Sequence, residues 1–185
     1  MKRLETARIT TKNRIGRLLW NFVWLVFYRP SPNVMHAWRC LLLRLFGAKI
    51  GRKAHPYPSS KVWAPWNLEM GDDSTLANGV DCYCVAKVTL GANATISQYS
   101  HLCTASHDYT NPAMPLMVAP IVIGEKAWIT ADVFVGPGVT IGDGAVITAR
   151  SSVFTDIDSW VVARGSPAVA IRQRVMKNGP KEGRR

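Results

Sequence analysis

Residues 123–153 read IGEKAWITADVFVGPGVTIGDGAVITARSSV, and the spacing within them decides the fold. An aliphatic side chain recurs every six positions, at Ile123, Ile129, Val135, Ile141, Ile147 and Val153. The residue that follows is usually small: Gly124, Thr130, Gly136, Gly142, Thr148. A second small or β-branched residue stands four positions on, at Ala127, Val133, Val139, Ala145 and Ser151. An amphipathic helix repeats its apolar stripe near every 3.6 residues, so a period of six excludes it. A single alternating strand is excluded too, because glycines interrupt at fixed offsets. The pattern predicts a triangular coil of about eighteen residues, made of three short strands joined by tight turns. Each aliphatic points inward and stacks on its equivalent one coil away. Glycines and small residues occupy the corners, where side chains crowd and φ turns positive. Such coils bury apolar surface only against each other, so several must occur together.

Working outward, the hexad phase continues upstream at Leu90, Ile96 and Leu102, and at Met70, Leu76, Cys82 and Val88. Ile50, Val62 and Leu68 extend it more weakly, with Pro56 in one slot. The reading is therefore an all-β solenoid over residues 49–172. The phase is lost over 108–120, which carries Pro112, Pro115 and Pro120; a long loop inside a compact solenoid is usually functional. Residues 1–48 form a separate basic, aromatic-rich helical segment. One helix is expected over 13–28, ended by Pro30 and Pro32. A second spans 34–46, with Arg39 and Arg44 on a polar face and Gly47 as its stop. The segment is open to two readings: a cap on the end of the solenoid, or an interfacial helix at 13–32. In the second, Trp20, Phe22, Trp24, Phe27 and Tyr28 meet the acyl boundary and arginines meet anionic head groups. Residues 173–185 read as a polar, basic tail that frays.

The chain has 185 residues and a net charge of +11, unevenly spread. Residues 1–53 carry twelve Lys/Arg against one acid, while residues 54–149 carry three against eight. Basic ends around an acidic middle suit an anionic partner such as a phosphorylated cofactor or a membrane surface. The acidic middle and the lack of a recognition motif argue against nucleic acid. Cys40, Cys82, Cys84 and Cys103 match no disulfide scaffold. The apolar run 18–28 is too short to span a bilayer and lacks a cleavage site. The chain reads as cytoplasmic with reduced thiols, with the inner face of the membrane as a further possibility.

The repeat resembles the hexapeptide-repeat acyltransferases, whose fold is a left-handed parallel β-helix. Several segments are similar, more narrowly, to sugar O-acetyltransferases of colanic acid and other exopolysaccharide synthesis. They are Trp38-Arg39 with residues 45–51 (LFGAKIG), Pro65-Trp66-Asn67-Leu68, Ile96-Ser97-Gln98, residues 102–108 (LCTASHD), residues 119–124 (APIVIG) and Gly165-Ser166-Pro167-Ala168. The resemblance covers roughly residues 15–175. It implies acetyl-CoA as donor, a sugar or lipid-linked saccharide as acceptor, and a homotrimer whose cofactor groove lies between neighbouring β-helices.

Acyl transfer to a hydroxyl needs a base near neutrality, and histidine is the best suited. His36 falls in the helical segment, His55 in a proline-rich link, and His101 at a corner facing solvent. His107 closes the last regular repeat and opens the loop, and it matches the family's catalytic histidine. Asp108 adjoins it, though neighbours along an extended chain point opposite ways. Asp81 and Tyr83, one coil earlier, are candidates for binding the acceptor. The family has asparagine where this chain has Cys84, and proline where it has Lys87, which leaves acceptor specificity open at Cys84. For the donor, the resemblance implies Trp128 near the reacting centre, Ala131 and Ala149 along the pantetheine arm, and Arg172 at the cofactor. Arg150 and Arg164 are further cations for its phosphates. Two rival readings use the same fold. A zinc hydratase of the carbonic anhydrase type needs about three imidazoles around an open metal site, and only His101 and His107 lie close in sequence. A non-catalytic trimeric scaffold would not need the His107 loop. No metal is expected.

Overall fold

The computed structural model describes residues 4–176. The hexads become strands of two or three residues that stack in parallel register on three faces of a left-handed β-helix. The first face carries Lys49–Ile50, Leu68–Met70, Val88–Leu90, Ile121–Ile123 and Thr140–Ile141. The second carries His55–Pro56, Thr75–Leu76, Thr95–Ile96, Trp128–Ile129, Val146–Ile147 and Val161–Gly165, closed by antiparallel Ala168–Gln173. The third carries Lys61–Val62, Asp81–Tyr83, His101–Cys103, Phe134–Val135 and Ser152–Val153.

The coil of about eighteen residues holds downstream, where Ile123 pairs with Ile141 and Val135 with Val153. Upstream each coil is longer, with Ile50 opposite Met70 and Met70 opposite Leu90. The two added residues lie before the first face, whose upstream strands turn both ends inward: Leu68 with Met70, and Val88 with Leu90. The aliphatic column is the core, and Leu76, Ile96, Leu102, Ile129, Val135, Ile141, Ile147 and Val153 are all fully buried. Gly91 shows how closely coils approach, since a Cβ there would lie 2.5 Å from the Glu125 backbone nitrogen.

Before the solenoid, α1 (Thr11–Val23) continues as a π-helical turn (Trp24–Tyr28) and is followed by α2 (His36–Leu45). Thr10 caps α1 by accepting from the Asn13 amide at 3.2 Å. The inner side of this helix uses Trp20, Trp24 and Tyr28, each four residues apart, and the wide π turn keeps the last of them facing the solenoid. Trp20 Nε1 donates to the Val62 carbonyl at 2.6 Å, Trp24 Nε1 donates to the Ser60 carbonyl at 2.9 Å, and Tyr28 Oη lies 2.8 Å from Ser60 Oγ. Burial pushes the Tyr28 phenol well above its ordinary range.

Gly47 takes φ +88 just past α2, a conformation that glycine reaches without strain. Arg39, expected on a polar face, is instead fully buried. Its guanidinium donates to the carbonyls of Pro56 (2.7 Å), Pro32 (2.8 Å) and Asn33 (2.6 Å) and to Ser31 Oγ (2.8 Å). His55 stands in a strand of the second face rather than in a link, its ring edge-on to His36 at 5.0 Å. Of the basic tail, Arg174 is described, while residues 177–185 lie outside the described residues. The Arg174 guanidinium donates to the carbonyls of Lys126 at 3.0 Å and Gly144 at 2.8 Å, which ties residue 174 to the solenoid.

Candidate active site

His107 stands at the end of a short strand, Ala105–His107, that leaves the solenoid at the corner between the third and first faces. It pairs antiparallel with Leu116–Val118, so the segment expected as a bare loop is largely a hairpin. Ala119 N donates to the Thr104 carbonyl at 3.0 Å and closes its base. A third strand, Glu5–Thr6, pairs with Val118 and Met117 and lines the other side of the hairpin. The proline-rich composition of 108–120 hid the hairpin, and nothing around Glu5 signals a strand.

The hairpin tip fixes the imidazole. Met114 takes φ +41, and its carbonyl lies 2.7 Å from His107 Nδ1. A carbonyl only accepts, so Nδ1 carries the proton and donates it, and in the neutral imidazole the lone pair is then on Nε2. Asp108 does not orient the ring; its Oδ1 accepts from Thr110 Oγ1 at 2.6 Å and from Thr110 N at 3.0 Å. Those two bonds hold its carboxyl below the usual carboxylate range and shape the tip. His107 opens on a groove of about 610 Å³ whose walls include Leu4, Tyr109, Phe134, Pro137 and Phe154. The imidazole thus borders a mostly apolar opening.

Asp81 and Tyr83 lie on the outer side of the third face, a coil before the histidine-bearing one. Tyr83 packs edge-on between Trp63 at 5.5 Å and His101 at 6.3 Å. His101 is not at a corner. It lies in mid-face against Phe134 at 5.6 Å, and its Nε2 is buried with no hydrogen-bond partner among the described residues. Cys84 is corrected most plainly. Its side chain is fully buried, with Sγ 3.3 Å from both the nitrogen and the oxygen of Ala64, so it faces the core and no groove. The Cys82 thiol beside it is held well above its ordinary range, first by its hydrogen bond to Cys84 and then by burial. Cys103 sits in register with Tyr83, away from both. Lys87, where the family has proline, pairs with Glu69 at 2.9 Å. Among the described residues no group of three His, Cys, Asp or Glu could hold a metal ion.

The proposed donor residues gather elsewhere. Trp128, Ala131, Ala149 and Arg172 line one groove of about 630 Å³ along the second face, with Ser97, Thr130 and Thr148. Trp128 is half exposed, and its Nε1 donates to Ser97 Oγ at 3.0 Å. Arg150 borders an adjoining depression with Ala131 and Ala149 and lies 3.4 Å from Asp132. Arg164 is exposed on the strand before the Ser166-Pro167 turn and lines none of these grooves. Arg174, which sequence reasoning did not single out, borders the groove too, through a guanidinium already bound to two carbonyls. In one chain, then, His107 stands at one corner of the prism and the groove runs along a different face.

The same architecture is found in known proteins. The chain is 50% identical over 163 residues to WcaF of Escherichia coli K12, whose name assigns it provisionally to colanic acid biosynthesis as an acetyltransferase. That match covers 88% of this chain and 90% of WcaF. The chain belongs to the WcaF family of hexapeptide-repeat acetyltransferases. Its fold superposes on a hexapeptide-repeat-containing acetyltransferase from Vibrio cholerae complexed with acetyl coenzyme A, with a TM-score of 0.79 and 26% identity over 90% of this chain and 91% of that one. A galactoside acetyltransferase in complex with coenzyme A gives a TM-score of 0.76 and 28% identity, over 90% of this chain and 84% of that one. No family model matches the chain. Membership of this family supports acetyl transfer to a sugar hydroxyl and does not support the zinc alternative.

Proposed function

We propose that this acetyltransferase moves an acetyl group from acetyl-CoA to a sugar hydroxyl in the synthesis of an exopolysaccharide or other cell-surface glycan, with His107 as the base. The observation that carries the proposal is the tautomer fixed by the Met114 carbonyl, which leaves His107 Nε2 as an acceptor in the groove. The Nε2 lone pair takes the proton of the acceptor hydroxyl as that oxygen attacks the thioester carbon. Backbone N–H groups steady the oxyanion of the tetrahedral intermediate. The intermediate expels the CoA thiolate, which receives the proton back from Nε2. The Met114 carbonyl holds the imidazolium in between, and no covalent enzyme intermediate forms.

The donor lies along Trp128, Ala131 and Ala149, where small side chains let the pantetheine arm approach, with Arg172 and Arg150 meeting its phosphates. Arg164 is a weaker candidate, since it lines no groove. Asp81, Tyr83 and Asp108 remain candidates for holding the sugar; Cys84 does not, because it lies in the core. The base and the donor groove occupy different parts of one chain, so a complete site needs a neighbouring subunit. We take the assembly as a homotrimer in the cytoplasm, working on a saccharide that is free, nucleotide-linked or lipid-linked at the inner face of the membrane. No helix of the described residues is long and apolar enough to cross a membrane.

The test is turnover with a panel of saccharide acceptors, read as thiol release from acetyl-CoA. His107→Ala should lower kcat by about 10²–10⁴ while donor binding survives. A near-normal kcat would remove His107 from the role of base.

A further inference from the structure

The outer side of α1 is apolar as well as the inner one. Ile15, Leu18, Leu19 and Phe22 are 55%, 69%, 58% and 61% exposed, and Leu25 and Val26 extend the ridge across the π turn at 58% and 43%. Their spacing of three and four residues puts them on one stripe. An apolar stripe that the solenoid leaves uncovered calls for an apolar environment, and the solenoid covers only the Trp20 side of the helix. The surroundings of the ridge are cationic. Residues 6–68 contain no Asp or Glu, and Lys12, Arg14 and Arg29 border the ridge at its two ends. None of these three has an ion-pair partner among the described residues.

We infer that this ridge docks the enzyme on an anionic lipid surface, with Leu18, Leu19, Phe22 and Leu25 in the acyl boundary and Lys12, Arg14 and Arg29 among the head groups. Charge argues for lipid over a second copy of the chain. A second copy would present the same acid-free, cationic ridge and repel it, and five solenoid acids are already engaged: Glu69 with Lys49 and Lys87, Asp72 with Arg52, Asp132 with Arg150, and Asp143 and Asp156 with backbone amides. The segment just before α1 reaches the candidate active site, because Leu4 lines the His107 groove and Glu5–Thr6 braces its hairpin, ending four residues before the Thr10 cap. A docked α1 therefore lies next in sequence to the wall of the acceptor opening, as a lipid-linked acceptor requires. That last step alone rests on the acetyltransferase reading; docking does not.

The experiment is flotation of the full chain with vesicles of phosphatidylcholine alone or containing phosphatidylglycerol, at low and high salt. The wild type should float with the anionic vesicles, and salt should release it. Leu18→Ser with Phe22→Ser should abolish flotation, with the thermal melt and acetyl-CoA binding unchanged. Lys12→Gln, Arg14→Gln and Arg29→Gln together should weaken it roughly a hundredfold. A wild type that stays in solution, or serine variants that float as well as it does, would overturn the inference. So would serine variants whose oligomer dissociates, which would assign the ridge to a subunit contact. Vesicle binding without turnover would sink the acetyltransferase reading and leave the docking surface intact.

Discussion

Arg39 illustrates how a single residue escapes a reading by hydropathy. A charged residue on a helical stripe is expected to face water, yet Arg39 is fully buried and bound by three carbonyls and a hydroxyl. The acceptors come from the 31–33 turn and from Pro56, which no pattern in the sequence brings together. Replacing it by methionine keeps the bulk and orphans those oxygens, so Arg39→Met should destabilise the fold by about 3 kcal/mol, measured by denaturant unfolding. Cys84 escapes such a reading for a related reason: the two added residues per upstream coil fall between the third and first faces and turn it inward at that corner. His107 was legible because it stands where the hexad phase stops, but the carbonyl that sets its tautomer was not. Met114 lies seven residues on and is presented only by the hairpin tip.

At the scale of elements, the solenoid strands were readable because each needs only one inward aliphatic and one small residue to define it. The hairpin at 105–118 was not, since Pro112 and Pro115 mask its pairing and half of its support comes from Glu5–Thr6. The seam between α2 and the first coil carries a pH-sensitive contact. Burial lowers the pKa of His36 from the ordinary 6.5; the Pro56 carbonyl opposes the shift and the Arg39 charge adds to it. The folded chain thus refuses a proton that the unfolded chain accepts below 6.5. Stability should be unaffected by this group at higher pH and fall as pH drops below that value, levelling off once the folded-state pKa is passed. His36→Phe should flatten that part of a melting-temperature profile; an unchanged slope would show that the acid sensitivity arises elsewhere.

For the whole molecule, the register of the coils arranges the chemistry. The interval between equivalent residues widens from Leu90 to Ile123, where the His107 hairpin is inserted, and returns to the shorter coil at Ile141. The insertion puts His107 at the corner between the third and first faces while the small-residue groove follows the second. A monomer therefore holds two halves of different sites, and the homotrimer we propose joins them. The groove was legible as a set of residues only through family resemblance, because alanines at corners carry no signal of their own. The most direct measurement is calorimetric titration of acetyl-CoA into the full chain and into Ala149→Trp, which fills the groove while His107 is untouched. The account predicts one site per chain with a Kd below about 1 mM for the wild type, and no measurable heat for the variant. Absence of binding by the wild type, or equal binding by Ala149→Trp, would contradict it.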